Sequence, residues 1–186
     1  MKQEIRLIGI DDAPFNKSKK GNVLVVATFF RGGSFLEGIL STKVRIDGKD
    51  STNKLVRLIN TSKFKPQIKA VLLNGIALGG FNVIDIQKLS KMLKIPVIVV
   101  IRNYPDFEKI KSALIKIKKE SKFKLIKKAG KVEKIGKIFI QVAGICLEEA
   151  KQILKISCTR SFIPEPIRIS HIIASGIVDG ESRGKA

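Results

Sequence analysis

Tryptophan is absent from the sequence, tyrosine and histidine occur once each, and aromatic residues make up only 6% of the chain. Little is therefore available for stacking against a flat ligand. Cysteine is nearly as scarce. Cys146 and Cys158 bracket an apparent helix that would hold their Cα atoms about 18 Å apart, well beyond disulfide reach. Neither has a histidine or second cysteine at metal-ligand spacing, so both read as reduced, buried, small apolar residues. No apolar run approaches the roughly 20 residues needed to span a bilayer. The opening MKQEIRLIGI enters a strand pattern without the layout of a signal peptide, and the cytoplasm is the expected compartment. Internal repeats and low-complexity linkers are missing as well.

Acidic residues are the last shortage. Sixteen aspartates and glutamates face 36 lysines and arginines, a formal net charge of +20. Such an excess points to a polyanionic partner, nucleic acid or a membrane surface. The same lysines, with many isoleucines and no tryptophan, equally suit a heat-adapted protein in which they only solvate helices. A hydrophobic fraction of 44% and a mean hydropathy of +0.11 argue against disorder. With 186 residues the chain is expected to form one domain, 1–186.

Apolar alternation and turn residues predict the elements. Strands are expected over Gln3–Ile10, Val23–Phe30 and Phe35–Ile46, the last two joined by Arg31-Gly32-Gly33-Ser34, which makes an antiparallel meander. Asp50-Ser51-Thr52 offers caps for a helix with Leu55, Leu58 and Ile59 on one face. Lys69–Leu73 is a buried strand, followed by the loop Asn74–Gly80. Asn82 can cap a helix carrying Ile86, Leu89 and Leu93. Pro96–Ile101 is another strand, and Pro105 opens a helix with Phe107, Ile110, Leu114 and Ile117 along one face. From Lys109 to Lys137, twelve lysines oppose Glu120 and Glu133, on that helix and on a hairpin-like segment, Phe123–Ile140. They form either a solvated face or a phosphate track, with Lys109, Lys116 and Lys119 as candidate contacts. Helices over Leu147–Ile156 and Pro166–Ile177 close the chain. The order is a mixed α/β sheet, three antiparallel strands then parallel α/β units, with a C-terminal helical appendage. Sites in such sheets lie at the carboxyl ends of central strands.

One such end is chemically unusual. The buried-strand pattern Leu7–Ile10 runs into Asp11-Asp12-Ala13-Pro14. Adjacent carboxylates at a core strand need either a cation or a turn in which Asp bonds its own backbone, and both readings are open. Asn74-Gly75 ends the fourth strand; if the two strands are neighbours, these ends share one crevice. Gly79-Gly80 suits a phosphate approached by backbone or a tight βα turn. His171, on a late helix, reads as a packed structural histidine before a catalytic one.

The segments GIDDAPF, DGKDST, NGIALGGFNVIDI, PVIVVIRNYPD and IPEPIRISHIIASGIVDGESRGKA resemble the archaeal "domain of unknown function 99" family, which is similar to endonuclease V. The resemblance runs over nearly the whole chain and implies a ribonuclease H-like fold. It also implies a nuclease that nicks DNA or RNA near deaminated bases with Mg²⁺ or Mn²⁺, in DNA repair. Asp11 then matches the strand-one aspartate, and Asp50 stands where endonuclease V has a glutamate. Asn74 replaces the strand-four aspartate, and Arg102 takes the place of a lysine. The implied ligands are Asp11, Asp12, Asp50 and Asn74, with Asp47 and Asp85 further out and Arg102 steadying phosphate. Gly144-Ile145 fills a histidine slot of that enzyme, and its Pro-Tyr-Ile-Pro wedge has no counterpart around Gly38–Val44. Pro166 is expected to start a helix, with Glu165 or Arg168 in a fixing ion pair. Any base pocket would rely on Phe15, Phe81 or Tyr104.

Two function classes follow. One is a metal-dependent endonuclease acting near uracil or hypoxanthine, on DNA more than RNA. The other is a nucleic-acid-binding module that kept the scaffold and lost turnover. A small-molecule or protein-binding domain with merely solvating lysines is a third.

Overall fold

The computed structural model describes residues 4–184. Gln3, the expected start of the first strand, lies outside the described residues, as do Lys185 and Ala186 at the end of the last quoted segment. Strand β1 (Arg6–Asp12) pairs antiparallel with β2 (Asn22–Arg31), which pairs antiparallel with β3 (Phe35–Arg45). After helix α1 (Ser51–Asn60), strand β4 (Ile68–Asn74) lies parallel to β1. A two-stranded hairpin, β5 (Ala77–Leu78) and β6 (Asn82–Val83), precedes α2 (Ile86–Leu93) and β7 (Val97–Ile101), which is parallel to β4. Helices α3 (Phe107–Lys116) and α4 (Ser121–Lys128) lead to β8 (Glu133–Ile135) and β9 (Ile138–Ala143), and α5 (Leu147–Ser157) and α6 (Glu165–Asp179) follow. The seven-stranded sheet runs β3-β2-β1-β4-β7-β9-β8. It is the expected mixed sheet, extended by an antiparallel edge.

Several local expectations are corrected. The run Phe123–Lys128 is helical: Phe123 and Ile126 pack inward from α4 with Leu114 of α3, and the interleaved lysines face out, so period-2 alternation was misleading there. Asn82 does not cap α2; its Oδ1 instead accepts the Ser51 N–H at the start of α1, at 3.1 Å. It sits in β6, and Asp85 caps α2 by accepting the Lys88 N–H. Asp12-Ala13-Pro14 is not a self-bonded turn either, because β1 stays paired through Asp12 and the Ala13 N–H reaches the Leu24 carbonyl at 2.8 Å. Cys146 is exposed at the N-cap of α5 and Cys158 is half-buried; both are free. Burial still pushes the Cys158 thiol up to about 11.

Strand periodicity sorts the two faces. Ile8 and Ile10 point into a core with α1 and α2, whereas Leu7, Leu72 and Val100 pack under α5 and Ile167 of α6. Helix α6 is no appendage: it lies against β1 and β2, with the Ser170 hydroxyl donating to the Gly9 carbonyl at 2.7 Å and Thr28 Oγ1 donating to the Pro166 carbonyl at 2.6 Å. Close approach needs a glycine at position 9, where an added Cβ would stand 2.2 Å from the Pro166 carbonyl carbon. Glu165 and Arg168 supply the expected ion pair with each other, 2.7 Å apart, and Pro166 sits in the first helical turn.

Gly9→Ala is therefore expected to destabilise the fold by roughly 1–3 kcal/mol or more through overpacking against backbone. Gly176→Ala, inside α6 where a new Cβ meets nothing within 4 Å, is the contrasting control, expected to gain up to about 1 kcal/mol from helix propensity. Urea unfolding of the two variants checks the difference.

Candidate active site at the carboxyl ends of the parallel strands

Asp11 and Asp12 are neighbours in sequence but face opposite sides of the sheet, as period 2 requires. Asp11 shares the α6 face with Gly9 and is 2% exposed. Its carboxylate collects three donors. The Asp12 N–H reaches Oδ1 at 2.9 Å, Asn74 Nδ2 reaches Oδ2 at 3.0 Å, and His171 Nδ1 lies 2.9 Å from Oδ2. The first two strand ends thus share one crevice, as β1–β4 pairing demands, and α6 adds the histidine. Its hydrogen bond to Asp11 holds the His171 imidazole above the usual histidine range, against burial and the nearby Arg102 guanidinium. His171 Nε2 lies 3.2 Å from the Arg183 carbonyl. With an acceptor at each ring nitrogen, the doubly protonated imidazolium is the form that satisfies both. A packed structural histidine is thus only half the description.

Asp12 turns to the other face, where Oδ2 accepts the Gly79 N–H at 2.8 Å. Burial raises its carboxyl to about 6, with Asp11 contributing in the same direction and the Gly79 hydrogen bond opposing. Gly79 and Gly80, both at positive φ, form the turn of the β5–β6 hairpin rather than a βα turn. Asp47 completes this side by accepting the Phe81 N–H at 2.7 Å. Lys122, 3% exposed, donates to the Asp47, Gly48 and Phe81 carbonyls, and burial brings its ammonium down to about 8. Lys119 also donates to the Asp47 carbonyl, at 2.7 Å. These two lysines, of which sequence reasoning singled out only Lys119, hold the hairpin against the β3–α1 turn. Lys109 and Lys116 stay exposed on α3, Lys109 pairing with Asp106.

Asp50 stands apart from Asp11. It occupies the N-cap position of α1 without bonding the helix; Oδ1 accepts from Arg45 N at 3.2 Å and Asn82 Nδ2 at 2.6 Å. Helix α1 packs on the Ile8–Ile10 face of the sheet, opposite to the face of Asp11, and among the described residues the two carboxylates share no hydrogen-bond partner. Asp85 is spent on the α2 cap and an ion pair with Lys128. Arg102 follows β7 on the Asp11 side, close enough to act on His171. Among the aromatics considered, Tyr104 is 59% exposed and held edge-on by Phe107 and Phe139.

A family model described as endonuclease dU matches residues 3–178. The chain belongs to the endonuclease dU family. Among its relatives, a UPF0215 protein of Methanothermobacter thermautotrophicus is 46% identical over 191 residues, covering 100% of this chain and 94% of that one. A crystal structure of a protein of unknown function from Archaeoglobus fulgidus superposes with a TM-score of 0.88 at 42% identity, covering 94% of this chain and 99% of the other. Endonuclease V of Ciona intestinalis, in complex with an inosine-containing 24mer DNA, reaches a TM-score of 0.59 at 18% identity, over 90% and 82% of the two chains. This endonuclease dU family member therefore has the ribonuclease H-like fold of endonuclease V, as its sequence segments implied. Among the described residues, no helix is long and apolar enough to cross a membrane.

The donor set determines what ion could sit here. Among the described residues, no group of three or more histidines, cysteines or acids is arranged to hold a metal. Asp11 nevertheless offers a carboxylate with the Asn74 amide beside it. Mg²⁺ is commonly held by one or two carboxylates, with substrate phosphates and water completing the shell. The residues fit such an ion only as this pair, with the Asn74 and His171 donors on Oδ2 giving way to it.

The acid–base shifts carry a stability signature. Asp12 and His171 both titrate higher folded than unfolded, so the native state binds the extra protons, and stability falls as pH rises through each window. For Asp12 the window runs from the ordinary aspartate value of 3.8 to about 6. Asp12→Asn should flatten that decline, and His171→Gln the decline above 6.5, in urea titrations repeated across pH.

Proposed function

We propose that this protein is a nuclease of nucleic acid that cleaves a phosphodiester near a deaminated base, uracil or hypoxanthine, in DNA. The observation that carries the reading is Asp11, a buried carboxylate at the end of a central strand, in contact with Asn74 and His171. Membership of the endonuclease dU family supports it, and the inosine-containing DNA bound by a protein of the same fold supports the substrate class. Asp11 and Asn74 would hold Mg²⁺ or Mn²⁺. Such an ion supplies Lewis acidity, activating water and offsetting charge on the phosphodiester.

The chain's own residues do the rest. The His171 imidazolium, donating to Asp11, fixes the carboxylate's orientation and places a positive charge where phosphate enters. Arg102, at the end of β7, adds a second. The exposed lysines of α3 and α4 draw a polyanion toward this edge of the sheet. Burial of Asp11 lowers the local dielectric, which strengthens each of these attractions.

A second reading, binding without turnover, is favoured by one specific observation. The Asp11 oxygens already accept three hydrogen bonds, and Asp50 is engaged with Arg45 and Asn82. Incubating the protein with Mn²⁺ and strands carrying deoxyuridine, deoxyinosine or no modified base separates the two. Nicking beside the modified base, lost in Asp11→Ala and reduced about 10–100-fold in Asn74→Ala, is the expected result. Tight binding with no nicking above the Asp11→Ala control leaves only the binding module.

A further inference from the structure

Beyond α6 the chain turns back on itself. Gly180, in the left-handed conformation, ends the helix, and the segment that follows runs beside its last turns. Ser175 ties it down: its hydroxyl accepts the Arg183 N–H at 3.2 Å and donates to the Glu181 carbonyl at 3.4 Å. This fold-back presses the Arg183 carbonyl onto His171 Nε2 at 3.2 Å, on the side of the imidazole away from Asp11. Gly184 follows so closely that an added Cβ would lie 3.9 Å from the same nitrogen. Residues 180–184 thus border the Asp11–His171 pair directly.

The arginine of this segment is 72% exposed at its side chain, and among the described residues its guanidinium pairs with Glu181, itself 62% exposed. A solvated pair of this kind contributes little and exchanges readily for a better anion. The guanidinium starts from a backbone already in contact with His171, with Arg102 acting on the same histidine. We propose that residues 180–184 form a wall of the active site and that Arg183 is a phosphate-binding residue, taking an oxygen of the nucleic-acid backbone together with Arg102. The proposal rests on the nucleic-acid reading above and adds the group that seats the strand. Exchange of Glu181 for phosphate fits a planar guanidinium, which recognises such oxygens in pairs.

The test is the salt dependence of binding to a fluorescein-labelled single-stranded oligodeoxynucleotide containing one deoxyuridine, followed by anisotropy with the full chain. Loss of one phosphate contact lowers the slope of log K against log salt by about 0.7 on a single strand. Arg183→Ala should show that drop, Arg183→Lys should restore it, and Lys155→Ala, at the opposite end of the sheet, should leave the slope at the wild-type value. Ser175→Ala, which keeps the arginine but removes the tether, should weaken binding several-fold. An unchanged slope in Arg183→Ala, with wild type binding normally, overturns the proposal and leaves the nucleic-acid reading standing. Wild-type binding that ignores salt overturns both.

Discussion

The Asp11 carboxylate is the constraint on which the rest of this structure turns. A charge so nearly removed from water is tolerated only when it is hydrogen-bonded from several directions. Here the donors come from its own strand, from β4 and from α6. For His171 to arrive, α6 must lie almost on the backbone of β1, and Gly9 makes that possible. The Ser170 and Thr28 hydroxyls then satisfy the carbonyls that such close packing would otherwise strand. Site and fold share the same few contacts, so the helix that closes the sheet is also the one that builds the crevice.

The second aspartate serves a different purpose. By pointing to the opposite face, Asp12 escapes direct competition with Asp11 for one ion and instead anchors Gly79. From there a run of hydrogen bonds links Asp47, Phe81, Lys119 and Lys122, fastening the β5–β6 hairpin to the β3–α1 turn. Lys122 donates to three backbone carbonyls and, among the described residues, bonds no carboxylate. A buried ammonium fits there because three dipoles replace its water. The lysine excess therefore splits into residues that solvate or steer and residues, such as Lys119 and Lys122, that hold loops together.

How much of this was legible in the sequence follows from periodicity. Long buried strands and amphipathic helices such as α1, α2 and α6 announce themselves, and Asp11 and Asn74 fall at the ends of strands that any parallel β1–β4 pairing makes neighbours. Local pattern fails where lysines interrupt it: α4 alternates like a strand, and only its packing with α3 decides the matter. Asn82 looks like a cap for α2 because the hairpin that contains it is two residues a side, too short to leave a pattern. Asp50 was matched by its position after the third strand, but which way a helix-tip carboxylate faces depends on Arg45 and Asn82, far apart in sequence. The His171–Asp11 contact spans 160 positions, and no local signal carries it. The available hint was composition: a single histidine on a helix whose neighbours include Ser170 and Ser175, small polar residues that permit close packing.

The central claim is that the functional carboxylate is Asp11, on the α6 face, and that Asp50 lies outside its reach. Mn²⁺ binding, measured by the loss of the free-ion electron paramagnetic resonance signal, tests it most directly when Asp11→Asn and Asp50→Asn are compared with wild type. The account predicts that Asp11→Asn abolishes binding while Asp50→Asn retains it at wild-type affinity. Binding that survives Asp11→Asn and disappears in Asp50→Asn would contradict it.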